Sequence, residues 1–294
     1  MTHSSDRIAL LAVVAALSVV PSAHAEQNFK ITPDVVYGHK AGMALTFDVI
    51  TPTQNSKDVG VLFMVSGGWV SMWFPPDALM QQKAGPFNFF AALVDEGYTL
   101  FLVRHGSSPY FKVPDAVADV RRAVRYIRLH AGEFPVDPDR LGVCGGSAGG
   151  HLSLMLGTAS DAGNAAAADE IERQSDRVAA VVAYYPPTKL DEFFHLTPQF
   201  PALDFDHGLA DSVSPLLHVT PDDSPTLLVH GDKDELVPLS NSERIHEAFA
   251  AQGVKSELIV VNGAAHGFQQ EDNERAARAM VAWFNEHLAE GVSP

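Results

Sequence analysis

Apolar and polar positions along this chain change their period once, near residue 55. Before it, "ITPDVVYG" (31–38) and "MALTFDVITP" (43–52) alternate with period two around the turn "HKAG". That is the pattern of two antiparallel strands. Beyond it come short apolar runs, "VGVLFMV", "YTLFLV", "RLGVCG", "VAAVVAYYP", "PTLLVHG" and "SELIVVNG". Between and after them lie stretches of helical period: "GPFNFFAALVDEG" closed by Gly97, "VPDAVADVRRAVRYIRLHAGEF", "SAGGHLSLMLG", "PLSNSERIHEAFAAQG" and "NERAARAMVAWFNEHL". Strands that are apolar almost throughout are buried on both faces. Their alternation with helices predicts an α/β fold, a mostly parallel central sheet with helices on both faces.

Two stretches break the alternation. "SMWFPPDALMQQKA" and "KLDEFFHLTPQFPALDFDHGLADSVSP" are rich in aromatics and proline and read as loops near a mouth, without a large cap domain. A third, "TASDAGNAAAADEIERQ", reads as an exposed polar excursion. In sheets of this kind ligands bind at the carboxyl ends of the strands.

One segment stands out there. "CGGSAGGHL" (144–152) crowds four glycines around Ser147, between an apolar strand and a helix. Glycine inside an ordered element costs roughly 0.5–1 kcal/mol relative to alanine, so the cluster needs a reason. A phosphate-binding loop would need a lysine after its last glycine, and a dinucleotide fingerprint a glycine where Ser147 stands. What fits is G-x-S-x-G, Gly145 to Gly149, at a strand-to-helix turn. There a strained, sharp turn exposes the serine hydroxyl over the sheet, and small neighbours let strand and helix approach. The helix N-terminus behind it directs free N–H groups at developing negative charge.

Such an elbow demands an acid after a later strand and then a histidine, in that chain order. "LLVHGDKDELVP" offers Asp232 and Asp234, and "LIVVNGAAHGF" offers His266 in a loop of small residues. His130, His246 and His287 fall on helices, expected to face solvent. His230 at a strand end and His151 inside the helix after the elbow read as structural. The oxyanion hole needs further donors from the loop after the third strand. That loop is "VSGGWVSMW", whose Gly67 and Gly68 allow close backbone approach. With Ala148 they are the expected donors, and a register one residue along would bring in Trp69 instead of Gly67. Trp69, Trp73, Phe74, Tyr185 and Phe193, with Pro186 and Phe194 beside them, are the candidate substrate wall.

Composition narrows the setting. Residues 1–25 combine Arg7, the apolar run "IALLAVVAALSVV" and an Ala-His-Ala end, which reads as a cleaved secretory signal. The run is shorter than the roughly 20 residues a bilayer span requires. Residues 26–294 are then one catalytic domain, secreted or periplasmic. The formal charge of −16 disfavours nucleic acid and anionic membrane surfaces as partners. Cys144 is the single cysteine, so no intrachain disulfide forms, and it reads as a small buried hydrophobe. There is no HExxH and no cysteine–histidine cluster, so neither metal nor cofactor is expected.

These motifs together resemble the α/β-hydrolase superfamily. The likeness is greatest to its secreted esterases (feruloyl and acetylxylan esterases) and the related peptidase-like branch, which share "HGGGW", "DPDRIGVxGxSAGGHL", "HGDxDxxVP" and "GxxHGF". Here they read "VSGGW", "DPDRLGVCGGSAGGHL", "HGDKDELVP" and "GAAHGF". The resemblance implies Ser147, Asp234 and His266 as a catalytic triad, with Asp232 shaping its own turn. It implies a serine esterase acting on a small-molecule or carbohydrate ester, such as acetyl or feruloyl groups on plant polysaccharide. A peptidase-like hydrolase and an inactive hydrolase-fold binding module are the alternatives. One departure is visible: Val65 and Ser66 stand where the family has His-Gly, so the oxyanion loop must be braced differently.

Overall fold

The computed structural model describes residues 28–81 and 89–288. The expected signal segment, the start of the helix predicted from residue 85 and the last six residues lie outside them. The alternating segments form the hairpin β1 (Phe29–Lys40) and β2 (Met43–Pro52). The apolar runs become β3 (Gly60–Met64), β4 (Thr99–Val103), β5 (Leu141–Gly146), β6 (Ala180–Tyr184), β7 (Thr226–Gly231) and β8 (Ser256–Val261). They join in one sheet of order β1-β2-β4-β3-β5-β6-β7-β8, parallel from β4 onward.

Period two along each strand divides its side chains between two cores. Leu62, Val143, Val181 and Leu228 face one, with Val120, Val124, Leu152 and Phe249. Val61, Cys144, Val182 and Leu227 face the other, with Leu93, Met280 and Phe284. The first core is therefore covered by α3 (Val113–Leu129), α4 (Ala148–Thr158) and α5 (Ser240–Gln252). The second is covered by α1 (Pro76–Met80), α2 (Phe89–Asp95) and α6 (Gln270–His287). Cys144 is fully buried there, and burial pushes its thiol pKa up.

Three details differ from the reading of the sequence, and one expected feature gains an anchor. The long third helix stops at Leu129 and gives way to a separate turn of tighter helix, Ala131–Glu133. The stretch after Ser71 holds the short helix α1, which starts where proline occupies the first helical position, as its missing N–H allows. The polar excursion after α4 is largely exposed, as expected, and it is also anchored. Arg121, Arg122 and Arg125 of α3 hold it through Asp161, Asp169 and Glu172, and Arg121 and Arg125 also reach Asp176 just beyond it. The proline-rich stretch from Lys189 folds as successive short 3-10 turns between Leu190 and His218. Its apolar residues Phe193, Ala202, Leu203 and Val213 are buried in the first core and hold it over the carboxyl end of the sheet.

Candidate active site

At the end of β5 the chain must reverse into α4 within one residue. Ser147 takes that position with φ 54° and ψ −120°, a conformation costly for a residue with a Cβ. Two hydrogen bonds hold it there: its N–H donates to the Tyr184 carbonyl, and its own carbonyl accepts from the His151 N–H, both at 2.9 Å. The glycines answer a spatial demand. A Cβ on Gly145 would lie 2.5 Å from the Gly149 carbonyl carbon, and one on Gly149 2.7 Å from the Met64 oxygen.

Around the serine, Asp234 and His266 come from the turns after β7 and β8. His266 Nε2 lies 2.9 Å from Ser147 Oγ, and His266 Nδ1 lies 2.7 Å from Asp234 Oδ2. Asp234 Oδ1 accepts from the N–H groups of Leu236 and Val237. Burial raises its pKa, but hydrogen bonds from His230, His266 and the Val237 N–H prevail and hold it well below the ordinary carboxylate range. His230 is itself buried, with Nε2 toward the Val237 carbonyl at 2.8 Å and Asp234 Oδ2 at 3.4 Å. Because a carbonyl only accepts, Nε2 carries a hydrogen, and Nδ1 lies 2.7 Å from Ser242 Oγ. Asp232 does not shape its own turn as expected. It accepts from the Gly263 N–H at 2.6 Å and so ties the turn after β7 to the one that carries His266.

The loop after β3 corrects one expectation. Gly67 and Val70 exchange N–H···O bonds of 3.0 Å in both directions, closing a tight turn with Gly68 and Trp69 at its centre. Both central residues have positive φ, +57° and +56°, as a type I′ turn requires. The Gly67 N–H, expected as an oxyanion donor, is therefore spent on Val70. The N–H groups of Gly68, Trp69 and Ala148 have no acceptor among the described residues. Gly68 must also lack a side chain because a Cβ would meet the Phe200 ring at 2.7 Å.

This loop is braced by hydroxyl groups and two histidines. Ser71 Oγ donates to the Val65 carbonyl, the Ser108 N–H to the Trp69 carbonyl, and Ser66 Oγ meets His105 Nε2 at 2.8 Å. Trp69 Nε1 donates to His151 Nδ1 at 3.3 Å, and His151 Nε2 donates to the Val213 carbonyl at 2.7 Å. Burial lowers the His151 pKa to about 4 against the pull of that carbonyl, so the ring is neutral. His151 thus links the oxyanion loop to the 3-10 segment. His130, His246 and His287, expected to face solvent, are each half-buried, against Tyr126, Ser256 Oγ and Trp283 respectively.

Two spaces flank Ser147. A cleft of about 560 Å³ is lined by Ser66, Gly67, Tyr185, His266, Phe268 and Asn273, with Phe63, Phe89 and Ala276 further in. A second, of about 20 Å³, is lined by Trp69, Pro187, Phe193, Leu196, Leu203 and Val237. Gly68, Ser147, Phe200 and Leu236 border both. Tyr185 stands edge-on to the His266 ring, 4.7 Å between centroids. Trp69 and Phe193 are almost wholly buried walls of the smaller space.

Trp73 and Phe74 do not belong to this wall. Trp73 is 57% exposed and borders neither space, and Phe74 turns into the second core. Phe194 is also elsewhere, stacked on His207 at 3.7 Å. Alternation within an irregular loop has no fixed period, so nothing in the sequence says which aromatic turns inward. Phe200, Leu236 and Phe268 went unmarked for the same reason. Among the described residues no group of His, Cys, Asp and Glu has the geometry to hold a metal ion.

The BD-FAE family profile matches residues 47–249, and that of the TAP-like proteins residues 210–291. The chain is 26% identical over 237 residues to the probable carboxylic ester hydrolase LipM of Mycobacterium tuberculosis, covering 76% of this chain and 52% of that one. The chain spans about half the length of the curated relatives it matches. Among solved structures it is similar to an acetyl ester-xyloside bifunctional hydrolase from Caldicellulosiruptor lactoaceticus. The TM-score is 0.71 at 24% identity, over 86% of this chain and 95% of that one. It is likewise similar to Thermogutta terrifontis esterase 2 phosphorylated by paraoxon, with a TM-score of 0.70 at 24% identity over 88% and 94% of the two chains. These structures share the α/β-hydrolase fold.

Proposed function

This chain belongs to the BD-FAE family, and we propose that it is a serine carboxylic-ester hydrolase working through an acyl-enzyme on short-acyl esters. The observation that carries the reading is the unbroken hydrogen-bonded chain from Ser147 Oγ through His266 to Asp234. Asp234 keeps the His266 proton on Nδ1, which leaves Nε2 free to take the Ser147 proton as Oγ attacks the ester carbonyl. The oxyanion that forms is met by the N–H groups of Ala148, Gly68 and Trp69, where loss of one donor typically costs about 10²–10³ in rate. His266 then returns the proton to the departing alcohol. Water, activated by the same imidazole, releases the acid, so the reaction balances with water as its only co-reactant.

The two spaces divide the substrate. The leaving oxygen must lie near His266, which lines the larger cleft and not the smaller space, so the alcohol belongs in the cleft and the acyl group beside Trp69 and Phe193. The room there, about 20 Å³, is one to two times the roughly 10–15 Å³ that a single water-sized sphere takes on the same measure. That suits an acetyl methyl group. The cleft's aromatic walls suit a flat aryl or sugar alcohol, in keeping with a solved neighbour named as an acetyl ester-xyloside hydrolase. The signal-like leader supports an exported enzyme.

The test is hydrolysis of 4-nitrophenyl acetate by the purified protein together with labelling by paraoxon. The expected result is steady turnover, one phosphoryl adduct on the peptide carrying Ser147, and a loss of about 10⁴–10⁶ in kcat for Ser147→Ala. Near-normal turnover in a folded Ser147→Ala protein would refute the reading.

A further inference from the structure

Ser66 lies immediately before the oxyanion turn, at the position where the family pattern carries a glycine, and it is one of the residues lining the larger cleft with Ser147 and His266. Its hydroxyl meets His105 Nε2 at 2.8 Å, while His105 Nδ1 faces the Gly106 carbonyl at 2.8 Å. A carbonyl oxygen only accepts, so Nδ1 carries the hydrogen. Burial lowers the His105 pKa, outweighing the Gly106 carbonyl and Asp119, so the ring holds one proton and Nε2 is a bare acceptor. The Ser66 proton is thereby committed to His105. What remains on Oγ for the cleft is lone pairs alone.

The pair is also held in place. The Gly106 N–H donates to Asp119 Oδ2 at 2.9 Å, and Asp119 Oδ1 is paired with Lys40 Nζ at 2.9 Å. His105 is nine-tenths and more buried, so Ser66 cannot exchange its donor direction without leaving a buried ring nitrogen unpaired. Deeper in the cleft the walls are mainly apolar, Phe63, Phe89, Phe268 and Ala276.

We propose that Ser66, its proton held by His105, is a specificity-determining residue that accepts a hydrogen bond from a hydroxyl next to the scissile ester on the leaving alcohol. The inference rests on the esterase reading and on the alcohol occupying the larger cleft. An acceptor-only oxygen rewards a donor in the substrate and opposes an ether or second ester at that position, where lone pairs would face lone pairs. The preferred substrate is then a partly acylated diol or polyol with a free vicinal hydroxyl.

The experiment uses two probes, the monoacetate of trans-cyclohexane-1,2-diol and its O-methyl ether, each kcat/KM normalised to the ester's own alkaline hydrolysis rate. Wild-type protein should favour the hydroxyl compound by about tenfold or more, the scale of one hydrogen bond gained and one mismatch avoided. In Ser66→Ala this ratio should fall about tenfold, and Ser66→Thr, which keeps the hydroxyl, should retain it. If Ser66 only braces the loop, both esters slow together in Ser66→Ala and the ratio stays put, which overturns the proposal. A wild-type ratio at or below one overturns it without any variant. Failure to hydrolyse 4-nitrophenyl acetate at all is a separate result, and it would fall on the esterase reading.

Discussion

Enlarging the smaller space should change which acyl group the protein prefers. Phe193 is 5% exposed and forms one wall of that space, so Phe193→Ala enlarges a space that Ser147 also borders. With the acyl group in that space, kcat/KM on 4-nitrophenyl esters should fall steadily from acetate to octanoate as added methylenes outgrow it. Once Phe193 is gone the two extra methylenes of butyrate can be buried, at about 0.8 kcal/mol each, or about 1.6 kcal/mol together. At roughly 1.4 kcal/mol per tenfold in rate, the butyrate-to-acetate ratio should rise by about 15-fold. The substitution also costs stability, about 3–5 kcal/mol for a buried phenylalanine. Assays therefore belong well below a melting temperature that should drop by about 2–4 °C per kcal/mol lost. Phe249→Ala is the matched control: Phe249 is wholly buried on α5 and borders neither space. It should lose comparable stability and leave the ratio alone. A folded Phe193→Ala protein with the native ratio, or a Phe249→Ala protein with the same shift, would refute the assignment of the acyl group to this space.

Asp234→Asn should lower kcat by about 10⁴ by favouring the wrong His266 tautomer, as stopped-flow acylation rates would report. Asp232→Asn should cost far less in kcat, because it touches the His266 turn only through Gly263. A larger loss for Asp232→Asn would reassign the acid. Acid sensitivity should come in part from His151 and His105, whose pKa values burial lowers. The unfolded chain binds protons that these rings refuse, so their contribution to stability is complete above about pH 6.5 and declines as pH falls toward the folded values. His151→Gln should flatten the melting-temperature profile between about pH 6.5 and 4, and an unchanged slope would clear His151 of this role. Mature protein recovered from an exporting host should begin at Glu26, which N-terminal sequencing checks, and an intact Met1 would contradict the leader assignment.

Period and punctuation along the chain were enough to read the strands, most of the helices and the parallel sheet, because both are local. Which side of β3 or β5 meets which core follows from period two, and the four glycines around Ser147 announce a turn too tight for side chains. The same locality put Ser147, Asp234 and His266 at the ends of strands, and the parallel sheet brings those ends within hydrogen-bond distance of one another. What the sequence could not carry are contacts whose partners lie far apart along it. Ser66 with His105 and Asp232 with Gly263 are pairings between separate loops, and Trp69 with His151 joins a loop to a helix, and none of these loops has a period of its own. Whether the Gly67 N–H is free depends on how the turn closes on Val70, and nothing in "SGGWV" states that. Trp73 and Trp69, four residues apart, illustrate the limit: one is exposed and the other buried against His151. In a loop the direction of a side chain is decided by what the rest of the molecule leaves room for, and only the assembled sheet, its two helical layers and the 3-10 segment over its carboxyl end define that room.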